Sequence, residues 1–149
     1  THARLGAPAF GIAPGEAELW VTLRTLEDGA MAALRAEAVT LAETAAAADG
    51  LSLTLTTHDD FAASVNHPEA TARAAAALEA LQIPHSAEDL PMRASEDFGR
   101  FGAAPTRSAM LFLGAGEMAA LHNPDYDFPD DLTPIGARIF ARLARDILR

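Results

Sequence analysis

The stretch of this sequence richest in groups that could do chemistry is Leu121-His122-Asn123-Pro124-Asp125-Tyr126-Asp127-Phe128. A neutral imidazole is a common ligand for a divalent metal, zinc above all. By spacing alone, His122 reads more readily as an exposed loop residue than as a ligand. The acids that follow, Asp125, Asp127, Asp130 and Asp131, lack the glycine and closing glutamate of an EF-hand loop. Turn formation and a place at a helix N-terminus suit them better than calcium. Arg24 ends an alternating segment on its polar side, and a guanidinium fork fits a carboxylate bidentately. The same residue reads equally as a strand-end surface arginine. Ser95-Glu96-Asp97-Phe98 places two acids side by side, where capping or support of a neighbouring site is expected. Gly114 and Gly116 either bring backbone close to a ligand or make a plain turn.

Composition removes several classes of function. The chain of 149 residues has no cysteine, so disulfide and thiolate chemistry are excluded and a reducing cytoplasm is the expected compartment. Twenty-one acids against 11 Lys plus Arg give a net charge of -10, which repels phosphate backbones and anionic membranes. Neither nucleic acid nor membrane is therefore an expected partner. No apolar run approaches the roughly 20 residues needed to span a bilayer, and nothing has the pattern of a secretory leader.

The elements that must position these residues follow from periodicity. Glu16 to Arg24 alternates, with Ala17, Leu19, Val21 and Leu23 on one face, and predicts a half-buried strand. Leu5 to Pro14 holds two glycines and two prolines and predicts a loop or an irregular strand end. Asp28 is the expected N-cap of a helix whose apolar stripe is Met31, Leu34, Ala38, Leu41 and Ala45, with Gly50 as its C-cap. Leu51, Leu53 and Leu55 alternate with polar residues and predict a second strand. Asn66 and Glu69 have capping-box spacing around Pro68, ahead of an alanine-rich helix over Glu69 to Gln82. Residues 83–107 are interrupted by Pro84, Pro91 and Pro105. Ala109 to Leu113 is continuously apolar and predicts a strand buried on both faces, as in a parallel sheet. Thr133 is the expected cap and Pro134 the opening residue of a last helix with Ile135, Ile139, Leu143 and Ile147 on one side and Arg138, Arg142, Arg145 and Arg149 on a solvated stripe. The expected organisation is bipartite: residues 1–64 as part of an antiparallel α+β domain, and residues 65–149 as part of an α/β domain. A sheet edge left without a partner in the first half predicts association with further strands.

Four segments in order carry a resemblance. Ser95 to Phe98, Phe112 to Gly114, His122 to Phe128, and Pro134-Ile135-Gly136 are similar to the C-terminal portion of the zinc-dependent amidohydrolases that include hippurate hydrolase, aminoacylase and the auxin-conjugate hydrolases. Phe10 to Gly15 and Thr22 to Thr25 extend the likeness into the first half, although Gly11 stands where many relatives have Asn.

The resemblance implies a catalytic α/β domain interrupted by a lid, or dimerisation, domain: a four-stranded sheet with two helices on one face. This chain would enter partway through the lid and return to the catalytic domain near residues 58–68. The resemblance also implies two divalent metal ions, expected to be zinc, that activate water against an amide carbonyl. It makes His122 the last metal-binding histidine and Arg24 a contact to the substrate carboxylate. Glu96 and Gly114 join Arg24 as candidate substrate-binding residues. The other expected partners are an N-acyl amino acid or small peptide-like substrate and a second copy of the chain, meeting through the lid. The early metal-ligand motifs and paired glutamates of the family have no counterpart here, so the polypeptide alone is expected to be inactive. The competing expectation is a non-catalytic module for self-association or small-molecule binding.

Overall fold

A computed structural model describes residues 1–149 apart from Asp89, Ala104, Pro105 and Arg149. Pro105 and Arg149, given roles above as a chain interruption and the end of a basic stripe, lie outside the described residues. The chain forms two units, Thr1–Ala63 and Ser64–Arg149. Its elements are two strands and four helices, a mixed α+β content.

In the first unit, β1 (His2–Leu5) pairs antiparallel with β2 (Ala17–Trp20), His2 opposite Trp20 and Leu5 opposite Ala17. The strand expected from alternation is therefore shorter than its pattern, because β1 offers only four residues to pair with. The connection runs through Gly6, at φ +46°, whose N–H reaches the Glu16 carbonyl at 2.9 Å. A left-handed backbone here suits a residue without Cβ. Helix α1 (Asp28–Ala48) follows. Glu27, not Asp28, holds its N-cap position. The Asp28 carboxylate is engaged elsewhere, accepting from the Ala63 N–H at 2.7 Å and so tying residue 63 back to the helix start. The half-covered stripe of α1 is Met31, Leu34, Ala38, Ala42 and Ala46, with Leu41 exposed. The expected stripe thus drifts by one residue in its second half, as a 3.6-residue turn requires. Gly50 ends the helix at φ +63°. Leu51 to Leu55 is not a paired strand: among the described residues it joins no sheet, and Leu53 and Leu55 stay 43% and 51% exposed.

The core lies in the second unit. Helix α2 (Pro68–Ala80) buries Ala74, Ala77 and Leu78, and helix α4 (Leu132–Ile147), which packs against it, buries Ile139. Small alanines on α2 let the helices approach closely, and burying one isoleucine is worth about 1.5–3 kcal/mol. Helix α3 (Gly99–Ala103) is a single turn or so. The segment Ala109 to Leu113 is extended but not buried on both faces. Phe112 is 52% exposed, and among the described residues no strand pairs with the segment. The expected parallel sheet is absent among the described residues, since no other strand lies beside this segment to pair with it.

The N-terminus of α2 departs from the expected capping box. His67 is the N-cap, its Nδ1 accepting from the Glu69 N–H at 3.2 Å. Asn66 instead turns its carboxamide onto Met110, and Glu69 turns outward to Arg73 and Arg107.

Candidate functional site

His122 lies in the loop between Leu113 and α4, and its ring is exposed. Its backbone is left-handed at φ +70°, a sparsely populated conformation for a residue with a Cβ. The turn immediately after it accounts for how the chain holds that shape. The Asn123 N–H donates to the Ala120 carbonyl at 2.9 Å, the Tyr126 N–H to the Asn123 carbonyl at 2.9 Å, and the Asp125 N–H to Asn123 Oδ1 at 3.0 Å. Asparagine is suited to this double use, since its side chain imitates a turn carbonyl. Pro124 then fixes φ inside the turn. Tyr126 and Pro129 are half-buried, and the Leu132 N–H to Pro129 carbonyl bond at 3.0 Å carries the loop into α4.

The other sequence-predicted residues sit as follows. Arg24 is exposed in the first unit, after β2; Leu23 and Thr25 beside it are half-covered, whereas Leu19 and Val21 of the expected half-buried face are 66% and 56% exposed, because nothing among the described residues packs over them. Glu96 is exposed, just before a turn in which the Arg100 N–H donates to the Asp97 carbonyl at 3.0 Å. Gly114 is exposed, and a Cβ there would meet nothing within 4 Å. Its backbone is not left-handed, whereas Gly116 sits at φ +77°, so glycine is required at the second position rather than the first. Gly114 and His122 share one loop, Glu96 precedes α3, and Arg24 belongs to the other unit.

A separate feature of the second unit is a groove of about 590 Å³ lined by α2, α4 and the extended segment, including Ala74, Phe98, Leu111 and Phe140. Glu69, Arg73 and Arg107 supply its charged lining. Arg73 reaches Glu69 at 3.1 Å, one turn along α2, and Arg107 takes the other carboxylate oxygen. The hydrogen bond from Arg73, then the charge of Arg107, hold the Glu69 carboxyl below its ordinary titration range. None of Arg24, Glu96, Gly114 or His122 lines this groove.

The sequence profile of peptidase family M20/M25/M40 matches residues 6–146. The chain belongs to this family. Comparison with curated proteins and with solved structures gave no match. Membership in the M20 peptidases is that of a hydrolase family, and the mixed α+β content is compatible with part of an M20 domain. Family members are typically metal-dependent. Among the described residues, however, no group of three or more His, Asp or Glu side chains is arranged to hold a metal ion. A catalytic zinc takes about three protein ligands, so these residues do not by themselves fit a complete centre. No helix among the described residues is long and apolar enough to cross a membrane.

Asn66, expected as a helix cap, is the residue whose role sequence reasoning misassigned. Its spacing to Glu69 marks a helix cap, and nothing local in the sequence signals that its side chain is committed 44 positions away.

Proposed function

We propose that this chain is the C-terminal part of a metal-dependent M20 amidohydrolase that cleaves the amide bond of N-acyl amino acids or small peptide-like conjugates. The observation that carries the reading is the family match over residues 6–146 together with an exposed histidine held in a left-handed turn. Strained backbone of this kind is concentrated where function demands it. In this reading His122 offers one imidazole to a pair of zinc ions whose other ligands lie outside this chain. Arg24 takes the substrate carboxylate, and Glu96 and Gly114 lie along the substrate. The first unit serves as the lid and meets a second copy of itself, an association that exposed Leu53 and Leu55 support. The cysteine-free composition suits the cytoplasm. A lone imidazole cannot hold zinc in a defined geometry, so this chain alone is inactive.

Two measurements test this. Calorimetric titration of zinc into the chain is expected to show no uptake tighter than that of a single exposed histidine. Joining the chain to the sequence encoded upstream of Thr1 is expected to give zinc-dependent hydrolysis of N-acyl amino acids. His122→Ala should then weaken zinc binding and lower kcat/KM by about 100-fold or more, since loss of a group that merely supports a metal ligand already costs roughly 10–100-fold. Stoichiometric zinc uptake by the isolated chain that His122→Ala abolishes contradicts the incomplete centre. A joined polypeptide without hydrolytic activity favours the self-association or small-molecule-binding module.

A further inference from the structure

We propose that Asn66 is a positioning residue for the His122 loop, acting by clasping the backbone of Met110. The functional part of this inference rests on His122 being the metal-side residue of the loop, as read above.

The Met110 N–H donates to Asn66 Oδ1 at 2.8 Å, and Asn66 Nδ2 donates to the Met110 carbonyl at 3.1 Å. A carboxamide offers the same acceptor and donor as a peptide unit, so Asn66 stands where a neighbouring strand's backbone would stand. The His67 N–H adds a second tie, to the Ser108 carbonyl at 2.8 Å. Among the described residues no backbone hydrogen bond reaches Leu111, Phe112 or Leu113, so the segment depends on this clasp for its register. Register matters because side chains alternate along extended chain. A slip of one residue exchanges the two faces. With Met110 clasped, Leu113 Cδ1 comes within 3.4 Å of the point where a Cβ on Gly136 of α4 would lie. The chain therefore leaves Leu113 from a set place, carries His122, and re-enters α4 beside the same leucine.

Asn66→Ala removes both bonds. Asn66→Asp keeps the acceptor but regains the donor only when protonated, because a carboxylic acid presents one O–H and one carbonyl as the carboxamide presents N–H and carbonyl. The ionisable groups near this point are His67, Glu69 and Arg73 from the start of α2 and Arg107 from the segment before Met110, and they are the same in every variant.

The experiment is amide hydrogen exchange and NMR of the intact chain. Asn66→Ala is expected to speed exchange of the Met110 amide about tenfold and to shift the Gly114, Gly116 and His122 signals, while Leu78 and Ile139 stay protected. Asn66→Asp should behave like the alanine variant at neutral pH and return toward wild type, compared at equal pH, as the carboxyl protonates. Unchanged Met110 exchange in Asn66→Ala overturns the clasp. Faster Met110 exchange with unmoved His122 signals overturns the positioning role. Should Asn66→Ala fail to fold, the Asn66→Asp series decides alone, and absence of pH recovery there also overturns the proposal. No metal or substrate enters these readouts, so failure of the hydrolase reading, seen in turnover, is a separate result.

Discussion

Glu69 shows how a single exposed residue couples to acid. The Arg73 hydrogen bond and the Arg107 charge favour its ionised form in the folded chain, so its folded titration lies below its unfolded one. The stability it contributes is present above the unfolded titration range and is lost as pH falls through the folded one. Carbon-detected NMR should place the Glu69 midpoint below that of an ordinary glutamate, and Glu69→Gln should flatten the acid side of the melting-temperature profile. An unshifted midpoint would remove the ion network from any account of acid lability. The loop glycines offer a second comparison. Gly116→Ala forces a Cβ into a left-handed backbone and should cost about 1–2 kcal/mol, whereas Gly114→Ala meets open space and should be nearly neutral in urea unfolding.

At the scale of elements, stability is concentrated in the α2–α4 pair. Ile139→Ala should cost about 2–5 kcal/mol, more than any change in α1, which has no buried residue. Gly136 faces the opposite calculation. A methyl added there would meet Leu113 at 3.4 Å, ordinary contact distance, while alanine gains about 0.8–1 kcal/mol of helix propensity over glycine. Propensity wins, so Gly136→Ala should raise the melting temperature. A lowered melting temperature would show that the strand end cannot yield at that contact. The three long helices were legible in the sequence because their signals are local: alanine-rich composition, Pro68 and Pro134 in first turns, Gly50 at an end; the short α3 was not. Of the strands, β2 was legible from its alternation, whereas Leu51 to Leu55 and Ala109 to Leu113 carry strand patterns but join no sheet among the described residues, since pairing depends on partners distant in sequence. β1 was missed for the converse reason: four residues are too few for a period of two to declare itself.

For the molecule as a whole, surface area is the telling quantity. The accessible surface is 12455 Å². A folded chain of this mass exposes roughly 7,200 Å², and two separate units of these sizes roughly 8,700 Å². The excess is apolar in part, with Phe10, Trp20, Leu53, Leu55 and Phe112 among the exposed side chains. Apolar surface on this scale seeks cover. Sedimentation is therefore expected to show association that grows with concentration, and an apolar dye should bind strongly. A stable monomer at high concentration with no dye binding would contradict this. The net charge of -10 works against close self-contact, so raising ionic strength should promote association.

By itself the sequence determined the three long helices, the loop that carries His122, the lack of thiol chemistry and the ordered motifs that go with the M20 peptidases. These rest on composition and on spacings within a few residues. Only the tertiary structure decided that Asn66 grips Met110 while His67 caps the helix, that Asp28 reaches Ala63, and that Glu69 serves two arginines. A polar side chain near a helix start has several partners within reach, and which one it takes depends on where distant backbone comes to rest.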